Sequence, residues 1–135
     1  MHTLPNAVQH EREALLSDAV GILKTHGYKS VAAQDLAGYQ EPDELLIPVL
    51  NVHMRPDIFA SSEMEDGMIL GVVEVSTDLG EESCGRRWQA FNAWANDHHT
   101  RMQVYVHPED LNRATEIAKH WHMVPDFLVS VKRTH

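Results

Sequence analysis

The sequence predicts an α/β fold, a central mixed β-sheet flanked by helices. Three observations point to it. Apolar residues recur at helical spacing between Asn6 and His26, the run from Met68 to Val75 is apolar on both faces, and helix-like and strand-like stretches alternate from residue 86 onward. A strand apolar on both faces belongs in the middle of a sheet, covered on each side. Alternating helices and strands bury their apolar faces by layering against one another. At 135 residues the chain is read as a single domain, residues 1–135, with a core of its own.

The first helix is carried by Val8, Leu15, Leu16, Ala19, Ile22 and Leu23. Asn6 followed by Gln9 fits a capping box, and Gly27 fits the stop. A short strand is expected near Tyr28–Ala33. Pro42 and Pro48 bracket a segment too short to assign. A hairpin follows: a strand over Pro56–Ala60, a polar turn over Glu63–Gly67, and a strand over Met68–Val75. Residues 76–84 read as a polar loop. A helix over Arg86–His98 carries Trp88, Phe91 and Ala95 on one face. Met102–His107 reads as a strand. Pro108-Glu109-Asp110 opens a helix, with proline in the first turn and acids at the positive end of the dipole. Leu111, Ala114, Ala118 and Trp121 form its buried stripe, and Phe127–Val131 is a last strand.

Eleven basic and twenty acidic residues give a net charge of −9. The excess is uneven: residues 1–85 hold 4 basic and 15 acidic side chains (4 − 15 = −11), and residues 86–135 hold 7 and 5 (7 − 5 = +2). Phosphate affinity comes mostly from neutralising charge, so so acidic a chain is a poor general binder of nucleic acid. Any DNA or RNA contact belongs on the 86–135 face, with Arg86, Arg87 and Arg101. The alternative is a solvated surface without a partner. No apolar run approaches the ~20 residues of a membrane helix. Met1-His2-Thr3-Leu4-Pro5 lacks a signal-peptide pattern, so no membrane and a cytoplasmic location are expected. The lone Cys84 excludes an intrachain disulfide and a cysteine-only metal cage. Ten histidines show no His-x-x-x-His pair and read as scattered structural or surface residues.

One constellation carries chemistry. Glu74 sits in the most apolar strand, where an ionised carboxylate costs several kcal/mol unless it is paired or binds a cation. Asp57 lies in the neighbouring strand, opposite Glu74 or one diagonal step away, depending on where the turn closes. Two adjacent acids repel, and a hard divalent cation between them relieves both costs. Asp57, Glu74 and the carbonyl of Val75 are therefore candidate metal ligands. The alternative is a solvated Glu74 at the strand's end with Asp57 as a turn residue after Pro56.

Arg55-Pro56-Asp57, a polar hairpin turn and Val73-Glu74-Val75-Ser76 resemble the core of the PD-(D/E)xK, restriction-endonuclease-like nuclease superfamily. The resemblance covers roughly residues 7–124 and includes an α-β-β-β-α-β order of elements. It implies a Mg²⁺- or Mn²⁺-dependent phosphodiesterase acting on DNA or RNA, with the Asp and Glu holding metal. It also implies an acid from the first helix, for which Glu11 is the candidate. Where the family has a lysine two residues after the Glu, this chain has Ser76, and no lysine occurs between Lys29 and Lys119. In some relatives the charge migrates to the following helix, which makes Arg86, Arg87 or the neutral Gln89 the substitutes here. Arginine stabilises charge but cannot act as a base, whereas Ser76 and Gln89 would stand near an attacking water. Two functions follow as expectations: a metal-dependent nuclease using Glu11, Asp57, Glu74, Ser76 and Gln89, or a catalytically inactive nuclease-like binding or assembly module. Exposed edges in a small sheet make a homodimer a candidate state.

Overall fold

The computed structural model describes residues 6–62 and 67–134, with Asn6 described by its backbone alone. The turn expected over Glu63–Gly67 lies outside these residues except for Gly67, and so does the side-chain cap expected at Asn6. The chain forms a three-layer α/β arrangement around a mixed sheet. Its elements are α1 (Asn6–Thr25), β1 (Ser30–Ala33), β2 (Leu45–Ile47), β3 (Val52–Met54), β4 (Ile58–Ser61), β5 (Met68–Val73), α2 (Glu81–Asp97), β6 (Arg101–Val106), α3 (Leu111–His120) and β7 (Leu128–Ser130).

The main sheet has the order β1-β4-β5-β6-β7. β1, β4 and β5 form an antiparallel meander. β6 then runs parallel to β5 after the α2 crossover, and β7 runs parallel to β6 after α3. β5 is central, as its apolar faces require. Ile69 and Val73 face α1, where Leu15, Leu16, Ala19, Val20 and Leu23 close one core. Leu70 and Val72 face α2, where Trp88, Phe91 and Ala95 close the other. Gly71 is a glycine for lack of room: a Cβ there would stand 2.9 Å from the Ile58 Cβ and 3.1 Å from the Tyr105 ring.

α1 stops at Gly27, in the left-handed region at φ +92°. Tyr28 N–H donates to the Leu23 carbonyl and Gly27 N–H to that of Lys24, which satisfies the last free carbonyls of the helix. The same bond, six residues back to one, ends α2 and α3, with His99 and His122 in the left-handed position.

Two elements depart from expectation. α2 starts at Glu81, five residues before Arg86, so much of the expected loop over 76–84 is helical. Extended Gly80 precedes it, and Glu81 and Glu82 occupy the first turn, where the helix dipole favours anions. Their polarity imitated a loop. The hairpin of β2 and β3 went unassigned because three-residue strands carry too little pattern. Leu45 and Ile47 anchor it on the α2 side, while its tip places Val49 and Asn51 at positive φ. Leu46, Val49, Leu50 and Val52 on this hairpin are exposed. The segment after β6 begins as a 3₁₀ turn over Pro108–Asp110 before α3 proper. Trp121, expected on the α3 stripe, lies just past its end and packs against Gly85 of α2, where a Cβ would stand 2.0 Å from the indole nitrogen. Among the described residues no helix is long and apolar enough to cross a membrane.

Candidate functional site

The sheet brings Asp57 and Glu74 into one neighbourhood at the end of β4 and β5. Ile58 pairs with Gly71, so Asp57 stands across from Val72 and one diagonal step from Glu74, the second of the two expected registers. β4 begins only at Ile58, two residues after Pro56, and a proline has no N–H to extend the ladder back toward Val73. Val73 would then face an empty rung. Side chains fill it: Val73 N–H donates to Asp57 Oδ2 at 2.9 Å, and Arg12 Nη1 donates to the Val73 carbonyl at 3.1 Å. Arg12 Nη2 closes the loop onto Asp57 Oδ1 as an ion pair. Both carboxylate oxygens of Asp57 are thus engaged.

Glu74 continues past the strand, its N–H donating to the Tyr105 carbonyl at 3.0 Å. Its side chain is fully buried on the α2 side. Oε2 accepts from the Trp88 indole N–H at 2.9 Å, with the Nε of Arg87 at 3.7 Å. Oε1 is buried with no hydrogen-bond partner. The Cys84 thiol beside Glu74 is directed to the Asp78 carbonyl at 3.2 Å. Burial raises the pKa of Glu74, opposed by Arg87, Trp88 and Cys84 in that order. Burial likewise raises Asp57, opposed first by Arg12 and then by the Val73 N–H. The two carboxylates are close enough for the charge of Asp57 to push Glu74 up further. Burial and the neighbouring Glu74 hold the Cys84 thiol up to about 11, so it stays protonated at neutral pH and is no nucleophile.

The other candidate residues are dispersed. Glu11, half-buried on α1, faces Arg133 at 3.4 Å and the buried His107 at 3.6 Å. Its neighbour Arg12 is the α1 residue that reaches the acids. Ser76 opens a 3₁₀ turn over Ser76–Asp78 and donates its hydroxyl to the Asp110 carboxylate (2.6 and 2.8 Å), which commits that hydroxyl away from the acid pair. The Val75 carbonyl accepts the Asp78 N–H at 2.9 Å within the same turn. Gln89 lines a groove beside Trp121 and Phe127. Of the three arginines named for a nucleic-acid face, Arg86 pairs with Glu82 at 2.6 Å, Arg87 turns inward to Glu74, and Arg101 donates to the Tyr28 hydroxyl at 3.2 Å. They form no common cationic surface.

Sequence reasoning passed over Arg12 and Trp88, yet both left a signal. Arg12 precedes Leu16 by four residues, one turn up the buried stripe of α1, and a cation there implies a buried acid opposite it. A core tryptophan needs an acceptor for its indole N–H, and Glu74 is the buried acceptor in the facing strand.

The donor set fits a divalent cation poorly. Asp57 gives one oxygen to a guanidinium and the other to a main-chain N–H, and the Val75 carbonyl already accepts a bond. Among the described residues no group of three or more His, Cys, Asp or Glu side chains converges to hold a metal. What the site defines is a pair of buried carboxylates balanced by two guanidinium groups. In comparisons with known proteins, no family model matches the chain, no curated protein matches it, and no solved structure matches it.

Proposed function

We propose that this chain is a nuclease-like domain without metal-dependent catalysis, serving as a binding or assembly module on a restriction-endonuclease-like scaffold. The scaffold reading is supported by the α-β-β-β-α-β order around the sheet, with an antiparallel meander followed by a parallel β6. One observation carries the loss of catalysis: Arg12 and Val73 N–H occupy the oxygens of Asp57 that a Mg²⁺ or Mn²⁺ ion would need. Hard cations take carboxylate oxygens and waters, and here the acid's charge is already balanced from within the chain. Ser76, in the lysine position and bonded to Asp110, does not supply the cation that the family places beside a scissile phosphate.

A second reading is favoured by the unpartnered Oε1 of Glu74 and the approach of Arg87, the α2 residue named for a migrated cation. On that reading the domain is a metal-dependent nuclease in which Asp57 and Glu74 hold the ion and Arg87 stabilises charge. One pair of measurements separates the two. Plasmid, single-stranded DNA and RNA are incubated with Mg²⁺ or Mn²⁺ and the wild type, Asp57→Ala or Glu74→Gln, and Mn²⁺ is titrated into the wild type by calorimetry. The module reading expects no cleavage and no saturable Mn²⁺ heat. Cleavage by the wild type that both substitutions abolish overturns it in favour of the nuclease.

A further inference from the structure

A groove of about 600 Å³ lies along α2, within the size range of small-molecule sites. One wall is a row of carboxamides, Gln89, Asn92 and Asn96, at i, i+3 and i+7 of α2 and therefore on one helix face. Among the described residues none of the three side chains has a hydrogen-bond partner. The opposite wall carries Trp121 and Phe127, both half-buried and both fixed. Trp121 is held against Gly85, with its indole N–H on the Glu81 carbonyl at 2.8 Å. Phe127 stands edge-on to Trp88, ring centres 5.6 Å apart. At the floor, β7 begins only opposite Val104, so Met102, paired with Leu70 of β5 on one side, has no β7 residue paired with it on the other. The lining also includes the acid Asp126, His122 and Arg101, whose guanidinium donates to the Tyr28 hydroxyl at 3.2 Å.

We propose that this groove binds an uncharged nucleobase, of the adenine type, as a free nucleoside or as an unstacked base of a single strand. Three features select this chemistry. A carboxamide presents one donor and one acceptor side by side, which matches the N6 and N7 edge of adenine. Rigid aromatic walls offer faces on which a planar ring stacks. The Arg101 guanidinium at the lining is engaged by the Tyr28 hydroxyl and Asp126 carries the opposite charge, which disfavours a polyphosphate tail. The proposal deepens the binding-module reading and rests on it for the choice of a nucleic-acid component.

The test is nuclear magnetic resonance titration of the side-chain amides of Asn92 and Asn96, in EDTA so that no metal chemistry intervenes. The probes are adenosine, guanosine, cytidine, uridine, single-stranded octamers of deoxyadenylate and of adenylate, and N-acetylglycinamide. Adenosine is expected to give saturable shifts below ~10 mM, and Asn92→Ala/Asn96→Ala is expected to weaken it about tenfold or more. Asn96 is exposed and Asn92 half-buried, and neither side chain has a hydrogen-bond partner among the described residues, so the double variant should melt as the wild type does. An octamer that binds more tightly than adenosine assigns the ligand to a strand, and adenosine alone assigns it to the free nucleoside. No saturable shift with any base, an equal response to N-acetylglycinamide, or binding unchanged in the double variant overturns the proposal. Because EDTA is present, that failure is distinct from the cleavage result that would overturn the module reading.

Discussion

Glu74 is an acid whose charge the fold penalises. With its pKa raised above the ordinary 4.5, the folded chain holds the proton to higher pH than the unfolded chain does. Between 4.5 and the raised value the folded state binds more protons, so stability falls as pH rises through that window and is greatest below it. Asp57, raised from 3.8, acts in the same sense. Glu74→Gln keeps an acceptor for the Trp88 N–H and removes the buried charge. It is expected to stabilise the protein by about 1–2 kcal/mol at pH 8, on the scale of an unsatisfied buried group. That advantage should fade toward pH 4, where Glu74 itself is protonated. Urea denaturation of both proteins at the two pH values checks this, and a less stable variant at pH 8 would show that Arg87 compensates the charge.

At the scale of elements, the end of β5 depends on Arg12 and Asp57 as much as on its own strand partners. Removing Asp57 strands the Val73 N–H and leaves Arg12 only the more distant Asp78 carboxylate at 3.8 Å. Asp57→Ala is therefore expected to cost about 2–3 kcal/mol, less than a fully buried pair would because Arg12 remains partly in solvent. Arg12→Ala should cost less, and the double variant should show a coupling of about 1–2 kcal/mol in a double-mutant cycle. Additive losses would mean that the two act independently. The α2–α3 contact has a similar single point of failure at Gly85. A methyl group there would overlap the Trp121 ring and break its bond to the Glu81 carbonyl as the ring moves, so Gly85→Ala is expected to cost about 2 kcal/mol and to expose the indole further. Tryptophan emission shifted to the red together with a lower melting point would report it.

For the whole molecule, stability is concentrated in the strands that both cores cover. β5 and β6 lie between α1 on one side and α2 on the other, whereas β2 and β3 form a separate two-stranded sheet with an exposed apolar tip. Such a pair is marginal by itself. Native-state hydrogen exchange should find the β2–β3 amides opening at least about 2 kcal/mol more easily than those of β5 and β6. Equal protection across both sheets would mean that the hairpin unfolds only with the core.

Much of this fold is legible in the sequence because its signals are local. The apolar spacing of Leu15, Leu16, Ala19 and Leu23 specifies a helix face, Gly27 ends it, and Met68–Val75 can only be a covered strand. The proximity of Asp57 and Glu74 follows from hairpin pairing alone. What fills the space around them does not. The spacing to Leu16 puts Arg12 on the buried stripe of α1, but whether Asp57 meets an ion or Arg12 depends on a contact between residues 45 positions apart, which no local pattern encodes. The same holds for Ser76, claimed by Asp110, and for Gln89, carried to another wall of α2. Helix and strand identity is set by spacing within a few residues, so the sequence determined it. The balance of buried charge is set by which distant side chains arrive at one point, and only the packing of α1 and α2 against the sheet decided that.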